Sequence, residues 1–409
     1  MSNHFPPQFF TANRQKLYQG LQPKSVLVMT GWAAMQRSLD QAFAFEQEPN
    51  FWYLTGVERP DWLLIVDIDE RREWLVAPYV AKVHQIFDGS LNPEEARDIS
   101  GIKQIISKRE GDKLLKELLS RKKTAFTLTP ADLKFYGFHP NPAQQKLVRK
   151  LRGVRVEDIR LALTRQRARK QPLEIEALQR AINVTSDSIK TVLSTLPVLY
   201  AENEVEAALT YEFRRRGAWH GFDPIVAAGG HTTTMHYESG NTTFKPDDWL
   251  LLDVGARVDH YRADIARTVP LGKATDRQME LYDSLQKDQQ KVIRLMAPGL
   301  DIKEYAERAE QILYDSQVRL GLLAKSAQRR DLYKNMPHAI SHGLGYDVHD
   351  PLGRPESLQP GMVLTAEIGL YLWDEGFGIR LEDDILITED GRRNLSAALP
   401  TDLRELGVR

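Results

Sequence analysis

The chain contains no cysteine in 409 residues. Disulfides, thiolate metal ligands and a cysteine nucleophile are therefore excluded, and a reducing compartment, taken here as the cytoplasm, suits that composition. Net charge is nearly absent as well: 55 Lys and Arg against 56 Asp and Glu leave −1. No global field draws the chain to nucleic acid or to an anionic membrane, and neither is expected as a partner. No apolar run is long enough to cross a bilayer. The opening MSNHFPPQFFTANRQKLYQG lacks the apolar stretch of a signal peptide.

What is present describes an ordinary globular protein, 42% hydrophobic and 27% charged. At about 150 residues per domain, two or three domains are expected. Residues 1–160 mix β-branched apolar runs, such as Lys24–Thr30 and Trp62–Ile68, with helical ones, such as Pro93–Ile99 behind the cap Asn92. Strands alternating with helices predict an α/β domain. A second domain, 161–409, opens on a helical stretch in which Leu173, Ile175, Leu178 and Ile182 recur at helical spacing. Further amphipathic helices are expected at Glu202–Arg216, Asp276–Leu295 and Ile302–Leu320, with strand-rich segments between and after them.

Those segments hold five candidate metal ligands: Asp253 in LLLDVG, Asp264 in YRADIART, His342 in HAISHGLG, Glu367 in LTAEIG and Glu382 in IRLEDD. Four carboxylates and one imidazole suit two hard or borderline divalent cations better than one. Opposed residues in an antiparallel hairpin have a constant index sum. A turn centred between Val258 and Asp259 would set Asp253 opposite Asp264. One centred between Asp374 and Glu375 would set Glu367 opposite Glu382. Like charges directly opposed destabilise a strand pair, and buried ones call for a proton, a partner or a cation. Taken singly, each of the five has a bland reading as a turn, surface or hydrogen-bonded residue; together they do not.

Six of the ten histidines lie between residues 231 and 349. His338, His342 and His349 share one glycine-punctuated segment, HAISHGLGYDVHD, and neutral imidazoles there could donate to an oxyanion or move protons. His231 and His260 read as surface or turn residues.

In order and setting these segments resemble the pita-bread-fold metallopeptidases, which include aminopeptidase P, prolidase and methionine aminopeptidase. LLLDVGARVDHYRADIARTVP, HAISHGLGYDVHDPLG and GIRLEDDILIT match the three main motifs, FEQEPNFWYLTGVERPDWLLIV is similar to the aminopeptidase P N-terminal domain, and LTRQRARKQPLEIEALQRAI resembles the linker helix. The resemblance implies a creatinase-like α/β N-terminal domain and an α+β pita-bread catalytic domain. It implies two divalent cations, Mn2+ foremost with Co2+ or Zn2+ as alternatives, held by Asp253, Asp264, His342, Glu367 and Glu382. Asp264 and Glu382 would bridge the ions, and Glu367 would also handle the proton of the attacking water. His236 matches the first accessory histidine, His349 the one that steadies the tetrahedral intermediate, and His338 one lining the substrate side. Arg380 and Thr365, each two residues from a ligand on its strand face, would orient it. Tyr371 matches an aromatic position of the family.

The activity implied is removal of an N-terminal residue preceding proline. Xaa-Pro dipeptidase activity is the enzyme alternative, and a non-catalytic binding protein on the same fold is the alternative of another class. Proline-containing peptides would be the substrates and a homodimer or homotetramer the assembly. One departure stands out: Glu367-Ile368-Gly369 occupies the place of the usual Glu-Pro-Gly, restoring a backbone N–H without removing a ligand.

Overall fold

A computed structural model of the chain describes residues 4–130, 139–238 and 240–407. It divides into two compact units, Met1–Gln166 and Arg167–Arg409. The division falls inside the helix Arg160–Ala168, a little later than residue 160, because the first residues of that helix still belong with the first unit: Leu163 bonds back to Ile159, and Gln166 donates to the Asn13 carbonyl at 2.9 Å.

The first unit is built on a mixed sheet of β1 (Ser25–Thr30), β2 (Leu63–Asp67), β3 (Arg72–Ala77), β4 (Gln104–Ser107), β5 (Thr124–Thr127) and β6 (Arg155–Asp158), in the order β4-β3-β2-β1-β5-β6. β1 lies centrally, antiparallel to β2 and parallel to β5, which is why its SVLVM run is buried without alternation. Asn92 caps the helix Pro93–Ser100 through a reciprocal bond with Glu95, and Ser107 does the same for Lys108–Arg121 with Glu110. Val26, Val28, Ile65, Trp74 and Leu115 form the centre of its apolar core.

The second unit carries short antiparallel sheets backed by helices. β8 (Ile225–Ala228), β9 (Trp249–Val254) and β12 (Ile265–Pro270) form one, β9 in the middle. β7 (Trp219–His220), β10 (Ala256–Val258) and β11 (Tyr261–Arg262) form a second. The third joins β13 (Val363–Leu372), β14 (Phe377–Ile387) and β15 (Arg392–Asn394). Helix Asp276–Leu295, capped by Thr275, packs on β13 and against helix Ile302–Arg319, capped by Asp301. β14 is buried along its whole length although it contains Arg380, Glu382, Asp383 and Asp384. Such groups need partners. Arg267, fully buried, meets Asp383 at 2.7 Å and the Glu382 carbonyl at 2.7 Å. Among the described residues no helix is long and apolar enough to cross a membrane.

Candidate functional site

The β13–β14 hairpin sets Glu367 directly opposite Glu382, the register the index sum gives. The other edge of β13 receives the histidine segment. Thr365 N–H donates to the His342 carbonyl and Glu367 N–H to the Ile340 carbonyl, both at 2.9 Å, and His342 N–H returns a bond to Thr365 Oγ1 at 3.2 Å. A histidine more than twenty positions away in sequence is thereby stitched beside the two carboxylates.

The first hairpin differs from expectation. Asp253 faces Ala266, not Asp264. Its tip is Asp259-His260, with φ of 47° and 72°, a two-residue turn of the type I′ kind that matches strand twist. The centre therefore lies between those two residues, one position further on than the sequence suggests. Asp264 drops into the break between β11 and β12 beside Gly255, where an added Cβ would meet the Ala263 carbonyl at 1.8 Å. Its N–H is held by Asp384 Oδ2 at 3.2 Å.

All five candidate ligands line one cavity of about 440 Å3, a size suited to a small ligand. Asp264, His342 and Glu382 bring one ligand atom each within 4.8 Å of one another. His342 Nε2 stands 3.5 Å from Asp264 Oδ2 and 3.9 Å from Glu382 Oε1. His236, His338, His349 and Arg380 line the same cavity. The His342 and His349 rings meet edge to face at 4.4 Å.

Arg380 supplies the countercharge: Nη1 donates to Asp253 Oδ2, Nε donates to the Tyr371 hydroxyl at 2.7 Å, and Nε lies 3.7 Å from Glu367. His338 Nδ1 donates to the Ala339 carbonyl at 2.9 Å, which leaves Nε2 to accept from Tyr371 at 3.0 Å. Tyr371, which matches an aromatic position of the family, thus links Arg380 to His338. Gly369 makes room for it, since a Cβ there would lie 2.5 Å from the tyrosine ring and hydroxyl.

Burial pushes the Asp264 and Glu382 carboxyls well above their usual range, and neighbouring carboxylates push further: chiefly Asp253 and Asp384 on Asp264, and Asp264 and Glu367 on Glu382. Burial also raises Glu367, to about 7, against the pull of Arg380. His338 and His342 go the other way, to about 4, again mainly through burial, so both are neutral near neutral pH.

The residues fit a divalent cation. His342 Nδ1 is bonded to the Gly343 carbonyl at 3.0 Å, which assigns the proton to Nδ1 and leaves the Nε2 lone pair facing two carboxylates. Glu382 Oε1 and Asp253 Oδ1 are buried without a hydrogen-bond partner. Acceptor atoms of Asp264, His342 and Glu382 lie within 4.8 Å of one another, an arrangement that suits a cation.

Two features escaped the sequence reading. Asp383 and Asp384 were not singled out; both are buried, and the signal was their place in an otherwise apolar strand. His231 is a partly exposed residue in the turn Gly229–Thr233, as expected; its bond to the fully buried Glu202 at 3.2 Å was not foreseen. Ile368, the departure from the usual proline, is fully buried within the ladder opposite Leu381.

Residues 176–389 match the model of metallopeptidase family M24, and residues 10–127 match the N-terminal domain of aminopeptidase P. The chain belongs to metallopeptidase family M24, in its aminopeptidase P group. The Xaa-Pro aminopeptidase of Escherichia coli is 30% identical over 423 residues, covering 96% of this chain and 95% of the relative. Human Xaa-Pro aminopeptidase 3 is 29% identical, covering 90% and 77%. Two solved structures of E. coli aminopeptidase P, one zinc-substituted with product and one with the inhibitor Pro-Leu, superpose with TM-scores of 0.88 and 0.87 at 27% and 28% identity, each over 98% of this chain and 97% of the other. Family membership makes the second unit a pita-bread domain and the chain a divalent-metal peptidase.

Proposed function

We propose that this chain is an Xaa-Pro aminopeptidase, which hydrolyses the bond between an N-terminal residue and a following proline with two divalent cations, Mn2+ foremost. Asp253, Asp264, His342, Glu367 and Glu382 would hold them. The observation that carries the reading is the His342 Nε2 lone pair aimed at Asp264 and Glu382 with no donor between. When bound, the ions would supply an ionised water and a polarised scissile carbonyl.

The side chains divide the remaining work. Glu367, on the cavity wall beside Arg380, would take the proton of the attacking water and return it to the prolyl nitrogen as that amine leaves. His349 and His236, on the cavity wall, donate to the oxygen on which negative charge develops. His338 lines the substrate side with its tautomer fixed by Ala339. Arg380 holds Asp253 in place and offsets its charge.

The test is hydrolysis of an Xaa-Pro-Xaa tripeptide and of an Xaa-Pro dipeptide by Mn2+-loaded protein, beside Glu367→Gln. Release of the first residue from the tripeptide by wild type alone supports the proposal. Cleavage of the dipeptide only would make the chain a prolidase, and no cleavage of either would sink the reading. Metal analysis of the loaded protein decides the ion and its stoichiometry, with Co2+ and Zn2+ as the alternatives. A homodimer or homotetramer in the cytoplasm belongs to the same reading, and sedimentation velocity checks the assembly.

A further inference from the structure

Glu202 is the first residue of the helix Glu202–Arg215 and is fully buried. Both oxygens are taken. Oε1 accepts from the Ala228 N–H at 2.8 Å and from His231 Nδ1 at 3.2 Å. Oε2 accepts from the Tyr237 hydroxyl at 3.0 Å and from the Thr242 N–H at 2.9 Å. The Glu202 N–H also donates to the Thr242 carbonyl at 3.1 Å. One carboxylate thus grips the start, the middle and the end of the segment that runs from the last residue of β8 toward β9.

That segment carries His236, whose side chain is exposed in the cavity. Its position is set by its two neighbours. On one side the Met235 carbonyl accepts from Arg380 Nη2 at 3.4 Å. On the other, Tyr237 is bonded to Glu202 and stacks on His231, with centroids 4.3 Å apart at 22°. Further back, Thr232 Oγ1 accepts from the Gly378 N–H at 2.8 Å, so the loop is also pinned to the strand that bears Arg380 and Glu382. The Glu202 end is the anchor with no ligand of the metal site in it.

We infer that Glu202 is a positioning residue for the reaction: through Tyr237 and the ends of the loop it fixes where His236 stands over the cavity. It does not touch substrate. The inference rests on the function proposed above. A glutamine at 202 keeps the shape but turns an NH2 group toward two donors, so at least one bond is lost and the loop loosens. Misplacing a reacting group by about 1 Å costs on the order of 100-fold in rate.

The experiment is a double-mutant cycle on the full, Mn2+-loaded chain with an Xaa-Pro-Xaa tripeptide: wild type, Glu202→Gln, His236→Ala and the double variant. Deuterium exchange over residues 228–243 is measured on the metal-free proteins. We expect kcat/KM to fall roughly 10- to 100-fold in Glu202→Gln. The double variant should lie within about twofold of His236→Ala, because the anchor has nothing left to position. Exchange in the loop should quicken. Losses that multiply, or a Glu202→Gln enzyme at the wild-type rate, would overturn the inference, since a merely structural carboxylate lowers every variant alike. If Glu202→Gln does not fold, Tyr237→Phe removes one of the four bonds and must show the same non-additivity on a smaller scale. Wild type inactive on every Xaa-Pro peptide would count against the function alone. The anchor would then be judged by exchange, and an unchanged loop in Glu202→Gln would refute it.

Discussion

Arg380 and Asp253 form a buried ion pair in which only one carboxylate oxygen, Oδ2, is satisfied, while Oδ1 has no hydrogen-bond partner. The arginine therefore neutralises Asp253 without blocking it. One oxygen is held in place and the other is buried without a partner, which a cation would supply. The same guanidinium fixes Tyr371, so a single planar group orients Asp253 and an aromatic wall at once.

Replacing Arg380 by Gln should strand Asp253 as an uncompensated buried charge. A loss of about 3–5 kcal/mol of stability is expected, with loss of peptidase activity. Lysine should not restore activity, because it has no Nε–H to reach Tyr371 while it faces Asp253. Thermal melts and kcat/KM of both variants check this. A lysine variant with wild-type kcat/KM would contradict it.

Metal should stabilise the fold. Mn2+ at about 100 times its dissociation constant is expected to add about 2.7 kcal/mol, seen as a rise in Tm that a chelator reverses. Glu382→Gln and Asp264→Asn should lose most of that rise along with the bound ion. Calorimetry paired with metal analysis is the measurement, and an undiminished rise in either variant would remove it from the ligand set.

For Glu367 the pH dependence has opposite signs with and without metal. In the metal-free protein Glu367 ionises near 7 when folded, against 4.5 as the ordinary value, because burial disfavours its charge. Folding takes up a proton in that interval, so this contribution to stability is complete below about pH 4.5 and is lost as pH rises through about 7. His338 and His342, lowered to about 4 by burial, behave in reverse and lose their contribution as pH falls from about 6.5 through about 4. Glu367→Gln removes this carboxyl and relieves its push on Glu382 and Asp264, leaving both histidines in place. The melting temperature of metal-free wild type minus that of the variant should therefore decline from about pH 4.5 to about pH 7. With Mn2+ present, protons compete for the ligands, and the metal-induced rise should shrink as pH falls. A difference between wild type and variant that is flat with pH would count against the raised Glu367.

Gly369→Ala should act through Tyr371. The new methyl would meet the ring at 2.5 Å, and moving the ring breaks its bonds to Arg380 and His338. We expect kcat/KM to fall by roughly an order of magnitude or more, with Tyr371→Phe/Gly369→Ala little worse than Gly369→Ala. Independent, multiplying losses would show that the glycine matters for another reason.

Much of the site was legible because strands impose simple rules. The Glu367–Glu382 pairing follows from a regular ladder and a short connection, and index sums capture that. Asp253 and Asp264 did not follow it. The left-handed pair Asp259-His260 moves the turn by one residue, and neither side chain advertises a positive φ as glycine would. Asp383 and Asp384 were passed over for a related reason: nothing local shows that Arg267, more than a hundred residues away, lies against Asp383.

The sequence by itself determined the donor atoms: four carboxylates and an imidazole in fixed order, no thiol to compete with them, and two hairpins with the periodicity to carry them. Tertiary structure alone decided which oxygens are satisfied and which are left for a cation. It also decided that His342 would present its bare nitrogen to Asp264 and Glu382, and that Glu202 would hold the loop of His236. Those outcomes depend on contacts between segments far apart in the chain, where burial makes each missing partner costly. Local periodicity carries no record of them.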